Sequence, residues 1–220
     1  MNTKARKSRE KELRRNALLD AAEEVIFSKG IEHATMDEIA EKAEFSKGTL
    51  YYYFNDKTDL YLAINNRGLT ILTEQFASVI AEDRTGLKMV KRLGEVYLRF
   101  VREYPDYFHT FMYHENSDIL VNQSSKMANK CENMGKKAFT FAVRAFQIGI
   151  QDGTINSAYQ PERLALQFWG SLRGIMQLFY YHSDAENDRI FENEDLEVEP
   201  MFNDFISIFL RGIQNQNNNN

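Results

Sequence analysis

Ser46, Lys47, Gly48 and Thr49 stand just ahead of three consecutive tyrosines, Tyr51, Tyr52 and Tyr53, and Lys57 follows four residues later. On a helix, at about 100° per residue, Leu50 and Phe54 fall on one face and, with Phe45, anchor it inward. Tyr52 then lies opposite that anchor, Tyr51 and Tyr53 flank it, and Gly48 and Thr49 share the outward side. The outward groups are phenols, a hydroxyl and an ammonium, set beside the free amides of a helix start, whose dipole favours anions. Phosphate oxygens accept hydrogen bonds from all of these. Gly48 lets a large partner approach the backbone closely. Thr49 offers a methyl for a thymine methyl and a hydroxyl for a base edge, and Lys57 adds charge to the same surface. This is the equipment of a helix that reads a major groove.

Residue types that would do covalent chemistry are not arranged for it. His33, His109, His114 and His182 are scattered, and His109 and His114, five apart, do not share a helix face, so no metal pair is expected. No G-x-S-x-G, C-x-x-C or glycine-rich phosphate loop occurs. The reading is of a protein that is not an enzyme and takes no cofactor. Cys131 is the only cysteine, which rules out an internal disulfide, fits a reducing, cytoplasmic setting, and reads as a packing residue.

The elements that must hold the 45–57 surface are helical. Leu18, Ala21, Ala22, Val25 and Ile26 make one face of an amphipathic helix from about residue 10 to Lys29, stopped by Gly30. Thr35–Glu38 reads T-M-D-E, a capping box opening a short helix over 35–43. E-F-S is a turn, and Ser46 caps the next short helix, about 47–54. Further helices are expected over 57–81, 85–104, 105–114, 124–152, 161–182 and 198–212. This is an all-α chain of nine helices, with three prolines and eleven glycines, too few breakers for many short strands. Expected domains are 1–56, a helix-turn-helix unit with a basic N-terminal arm, then 57–214, and a disordered polar tail over 215–220.

With 43% apolar and 27% charged residues, the composition is that of a globular protein able to bury a core. No uninterrupted apolar run marks a signal peptide, and no stretch is long enough to span a membrane. The net charge of −5 argues weakly against nucleic acid, but its distribution argues otherwise. Residues 1–15 carry seven cations against Glu10 and Glu12, whereas residues 183–200 carry eight acids and only Arg189. The two ends therefore do different work.

The segment T-M-D-E-I-A-E-K-A-E-F-S-K-G-T-L-Y-Y-Y-F-N-D-K-T-D-L closely resembles the DNA-binding part of the TetR/AcrR family of bacterial transcriptional regulators, over about residues 11–66. Glu44 departs from it where many members have glycine, and Tyr53 where histidine is frequent. Carried onto this chain, the family's DNA contacts fall on Thr35, Ser46, Lys47, Gly48, Thr49, Tyr51, Tyr52, Tyr53 and Lys57. The resemblance implies a homodimeric regulator, most simply a repressor, that leaves a palindromic double-stranded DNA operator when a small molecule binds the C-terminal domain. The alternative is a helical ligand-binding or protein-interaction adaptor without DNA binding.

Downstream, the many aromatics can line an apolar cavity or fill a plain core. An effector pocket is expected from Phe108, Phe111, Met112, Tyr113 and His114 in one stretch, and Phe146, Phe168, Arg173, Met176 and Tyr180 in another. The helix 161–182 carries two apolar stripes, so a partner subunit is expected to cover one of them. Trp169 and Met176, with Phe202, Phe205, Ile206 and Phe209 of the last helix, are the expected dimer surface. The pocket region's cations are few (Lys136, Lys137, Arg144 and Arg173), which points to a hydrophobic effector.

Overall fold

A computed structural model describes the backbone over residues 3–116, 126–182 and 197–215, with side chains over 4–113, 126–178 and 197–215. The helices are α1 (Thr3–His33), α2 (Met36–Lys42), α3 (Lys47–Tyr53), α4 (Lys57–Ile80), α5 (Gly86–Glu103), α6 (Pro105–Asn116), α7 (Lys126–Gln151), α8 (Pro161–His182) and α9 (Val198–Ile213). Among the described residues these nine helices match the expected all-α class, and the sole extended pairing is an isolated bridge between Ile155 and Gln214. Two boundaries differ from expectation. α1 begins at Thr3 rather than near residue 10, and its helical geometry breaks at Gly30, with φ +80°, before a last turn to His33. The exposed residues before Leu18 have no apolar period, so sequence pattern could not extend the helix over them. No described helix is long and apolar enough to cross a membrane.

The chain divides into two compact units, residues 1–69 with 106–133, and residues 70–105 with 134–220. In the first, Leu18, Ala22, Ile26, Ile39, Leu50, Phe54, Leu60 and Ile64 form one buried cluster. α6 belongs to this unit. Tyr107 lies against Gly68, where an added Cβ would come within 2.9 Å of its ring, packs edge-on to Phe27, and donates from its phenol to Glu23 at 2.8 Å. Arg67 donates to Glu23 and Asp20, each at 2.7 Å. Burial raises the Glu23 pKa despite the Tyr107 and Arg67 contacts that favour its charged form. The Cys131 thiol donates to the Leu62 carbonyl at 3.2 Å, and burial pushes its pKa up to about 11, which makes it the inert packing thiol expected.

In the second unit α5 and α7 meet almost backbone to backbone. A Cβ on Gly86 would lie 1.9 Å from the Gly149 nitrogen, so only glycine fits there. The N-cap of α5, Thr85, makes no side-chain cap. Its role passes to the turn after α7: Asp152 accepts from the Gly86 amide at 2.7 Å, and the Thr154 hydroxyl from the Leu87 amide at 3.3 Å. Burial alone would raise the Asp152 pKa, but hydrogen bonds from Thr154 and Gly86 outweigh it and hold the carboxyl below its usual range.

A depressed carboxylate stabilises the fold above its unfolded pKa, about 3.9, and loses that contribution as pH falls through the folded value. Asp152→Ala is therefore expected to cost about 1 kcal/mol at pH 7, the usual worth of a helix cap. The gap to wild type should close below about pH 4. Urea unfolding at pH 7 and pH 3 checks both parts.

Candidate nucleic-acid interface

α3 has seven residues, too few to persist alone in water. Two devices hold it. Ser46 caps its start, with its hydroxyl accepting from the Thr49 amide at 3.2 Å and sharing a 2.9 Å hydrogen bond with the Thr49 hydroxyl. Leu50, fully buried, and Phe54, 1% exposed, fix it to the core. The rest of the helix is thereby turned outward. Tyr52 is 71% exposed and Tyr51 50% exposed. Tyr53 is half-buried against the core and meets Tyr52 edge-on at 5.1 Å between centroids. Ser46, Lys47 and Gly48 are exposed and Thr49 is half-buried.

α2 presents the preceding cap. The Thr35 hydroxyl accepts from the Glu38 amide at 3.3 Å, and the Glu38 carboxylate takes the Thr35 amide at 3.1 Å, completing the expected capping box. Lys29 adds an ion pair to Glu38 at 2.6 Å, and these hydrogen bonds lower the Glu38 pKa. In the α2–α3 turn, Glu44 takes φ +58°. Glu44 is the position where many members of the resembling family have glycine. It enters the left-handed region that glycine would occupy, at a cost of about 1 kcal/mol.

Two of the expected contact cations have partners in the structure. Lys47 is ion-paired with Asp37, both side chains being 61% exposed. A surface pair of this kind is worth little, so a phosphate could replace it. Lys57 does something the sequence did not show. Its ammonium donates to the carbonyls of Glu32 and Ala34, both at 3.1 Å. The break at Gly30 leaves these carbonyls outside a continuous helix, and Lys57 closes the α1–α2 turn over them. Two of its three donors are used in this way.

Another residue missed from sequence is Lys11, whose ammonium sits 5.3 Å from the Tyr52 ring centroid, while the Arg15 guanidinium lies 5.1 Å from that of Phe54. The visible signal was the basic composition of residues 1–15, but not that the arm is helical and reaches α3.

The other expected sites fare differently. Phe108 and Met112 are buried, Phe111 and Tyr113 half-buried, all on α6 in the first unit. Tyr113 is tied to Glu32 by a 3.3 Å hydrogen bond from its phenol. Phe146 and Phe168 belong to the second unit. There they pack into an aromatic cluster with Phe209, the Phe146–Phe168 and Phe168–Phe209 centroids being 5.9 and 5.2 Å apart. These two rings fill core rather than line an open wall. The side chains of His114 and Tyr180 lie outside the described residues. Arg173 is half-buried beside Tyr97; burial lowers the Arg173 pKa and raises that of the phenol. A cleft of about 600 Å³ between α5 and α9, lined by Arg92, Arg99, Arg102, Glu95, Glu103 and Glu199, is charged and does not resemble the apolar cavity expected.

Of the residues expected at a dimer surface, some are covered within their own unit and others are half-buried. Met176, Phe202 and Ile206 are 3%, 1% and 4% exposed, covered by their own unit. Trp169 packs against Phe76 and Tyr97, at 6.0 and 5.6 Å between centroids. Phe205 and Phe209 are half-buried and pack on each other and on Phe168. Leu166 and Leu178 on α8 are 64% and 46% exposed, and Ile208 on α9 is 71% exposed.

Replacing Lys57 tests the closure of the α1–α2 turn. Lys57→Ala is expected to lower unfolding stability by about 1.5–3 kcal/mol, the range for hydrogen bonds that involve a charged group. Unchanged stability in denaturant titration would show that the two bonds do not form in solution.

Residues 18–64 match the family model described as bacterial regulatory proteins, tetR family. The transcriptional activator FasR of Mycolicibacterium smegmatis is 34% identical over 88 residues, 40% of each chain. The regulator QacR of Staphylococcus aureus is 26% identical over 207 residues, 90% of this chain and 97% of QacR. The alignments with FasR and the relatives next to it reach only about two fifths of those proteins' lengths. In fold, the structure of FadR from Bacillus subtilis superposes with TM-score 0.67 at 18% identity, covering 90% of this chain and 98% of FadR. The segment that forms the capped α2–α3 pair is the segment the family shares: over residues 18–64 the chain carries the sequence of the tetR family of bacterial regulatory proteins.

Proposed function

We propose that the protein is a homodimeric transcriptional repressor that binds a palindromic operator through α3 and leaves it when a small hydrophobic effector binds. The observation that carries this is the outward face of α3, with Tyr51 and Tyr52 exposed above a buried Leu50 and Phe54. Tyrosines left this exposed by their own fold present their phenols to a partner. Ser46, Lys47, Gly48, Thr49 and Thr35 surround them, and Tyr53 supports the edge of Tyr52.

Dimerisation is supported by α8 and α9. An added Cβ at Gly170, Gly174 or Gly212 would meet nothing within 4 Å. Gly170, exposed, and Gly174, half-buried, lie between the exposed Leu166 and Leu178 at four-residue steps, so the four share one face. Small residues there allow a second helix to approach closely, and the flanking leucines and Ile208 supply apolar area. Twofold symmetry then places two α3 helices on inverted half-sites.

For the effector, the part of the second unit around Phe146 and Phe168 is apolar and aromatic, and on α8 a half-buried guanidinium, Arg173, lies beside Tyr97. A multiply charged ligand would need several cations to offset its desolvation, whereas an apolar chain needs only area. The FadR structure is described in complex with stearoyl-CoA, whose acyl tail is an apolar chain of this kind although its CoA part is multiply charged. Effector binding shifts α4, and Lys57, at the start of α4, carries the shift to the α1–α2 turn.

Two measurements test the reading. Duplex selected from a randomised pool should be released by fatty acyl compounds and not by multiply charged polar metabolites; the reverse would overturn the effector class. Gly174→Arg should leave the helix content and melting temperature near wild type, because the site is open within the chain, yet sediment as a monomer and bind the selected duplex at least tenfold more weakly. A Gly174→Arg protein that sediments as a normal dimer would exclude this face. FasR is named an activator, so reporter output from the bound promoter decides the sign of regulation.

A further inference from the structure

α1 runs about four turns before its first buried residue, Leu18, and residues 4–14 are all exposed. Nothing in the core requires this extension. Its charges are sorted by face. Lys4, Lys7, Lys11 and Arg14 follow at steps of three, four and three residues, which places them on one stripe. Of the two acids, Glu12 falls off it, and Glu10, at its edge, pairs with Arg6 at 3.7 Å. Like charges at such spacings repel, by about 0.2–0.5 kcal/mol a pair in an isolated helix, so the stripe opposes helix formation in the free protein.

The direction of the stripe is fixed by Lys11, which sits over the Tyr52 ring at 5.3 Å. Arg15, at the edge of the same face, is held over Phe54. The cationic face therefore points to the side on which α3 presents its tyrosines. We propose that Lys4, Lys7 and Arg14 bind the phosphates of the duplex flanking the segment read by α3, with Lys11 as the positioning residue that joins the arm to Tyr52. Seven residues of helix at about 1.5 Å each carry the surface roughly 10 Å beyond Lys11. A membrane surface fits poorly, because Leu13 is the only large apolar side chain on the arm, too little for an interfacial helix. The inference rests on the reading of α3 as a DNA-binding helix.

The test uses the full chain and the duplex that wild type selects from a randomised pool, in two lengths: the selected core alone, and the core with ten base pairs of unselected sequence on each side. The variant is Lys4→Gln, Lys7→Gln and Arg14→Gln together, all exposed, and circular dichroism verifies its fold. Each phosphate contact contributes about 0.9 to the slope of log affinity against log salt. The triple variant should therefore have a slope shallower by about two to three units for each arm on the long duplex, and little difference from wild type on the core. Equal slopes on the long duplex would overturn the inference while leaving the α3 reading intact. Failure of wild type to select any duplex would overturn both. Binding to phosphatidylglycerol vesicles that is lost in the variant, with no dependence on flanking duplex, would assign the arm to lipid instead and overturn it.

Discussion

A seven-residue helix has no stability of its own, and everything proposed for this protein depends on how α3 is held. The holding interaction is the burial of Leu50 and Phe54 in the core built by α1, α2 and the start of α4. Fully burying two such side chains contributes about 3–6 kcal/mol, far more than the Ser46 cap. It also sets rotation: with positions 50 and 54 inward, positions 51 and 52 have no choice but to face solvent. The exposure of Tyr52 is a consequence of that anchor, and a slip of one residue, about 100° of rotation, would turn Tyr51 or Tyr53 inward and Tyr52 to the flank.

The same economy recurs around the anchor. Gly30 breaks α1, which turns the chain toward the Thr35 cap but leaves carbonyls open, and Lys57 closes two of them. Glu44 accepts a left-handed backbone to bring α3 across α2. Tyr107, Glu23 and Arg67 tie α6, α1 and α4 into one unit through a half-buried hydrogen-bonded group. Each is a local arrangement whose effect is to fix the orientation of a helix that could not orient itself.

Much of this was legible in the sequence, for definite reasons. The capping box at Thr35, the Ser46 cap and the Leu50–Phe54 spacing are short-range signals, and the structure contains all three. The nine helices follow from apolar periodicity and scarce breakers. The arm's helix was not legible, because a solvated stretch has no apolar period. Nor was the job of Lys57, whose partners lie 23 and 25 residues away. The exposed apolar residues of α8 were not legible, because the aromatics drew the expectation of the partner-facing side. The chain buries Phe202, Met176 and Ile206 itself and leaves out Leu166, Leu178 and two glycines. Amphipathic pattern shows that a helix has two apolar sides, but not which one its own chain will cover.

The central claim is that the face of α3 carrying Tyr52 enters the groove of DNA. The most direct measurement is photo-cross-linking with a photoreactive phenylalanine derivative placed at position 52, and in a second protein at position 159, an exposed tyrosine of the other unit. The account predicts cross-links from position 52 to bases at equivalent places in both half-sites of a selected duplex, and none from position 159. Cross-links from position 159, with none from position 52 in a protein that still binds the duplex, would contradict it.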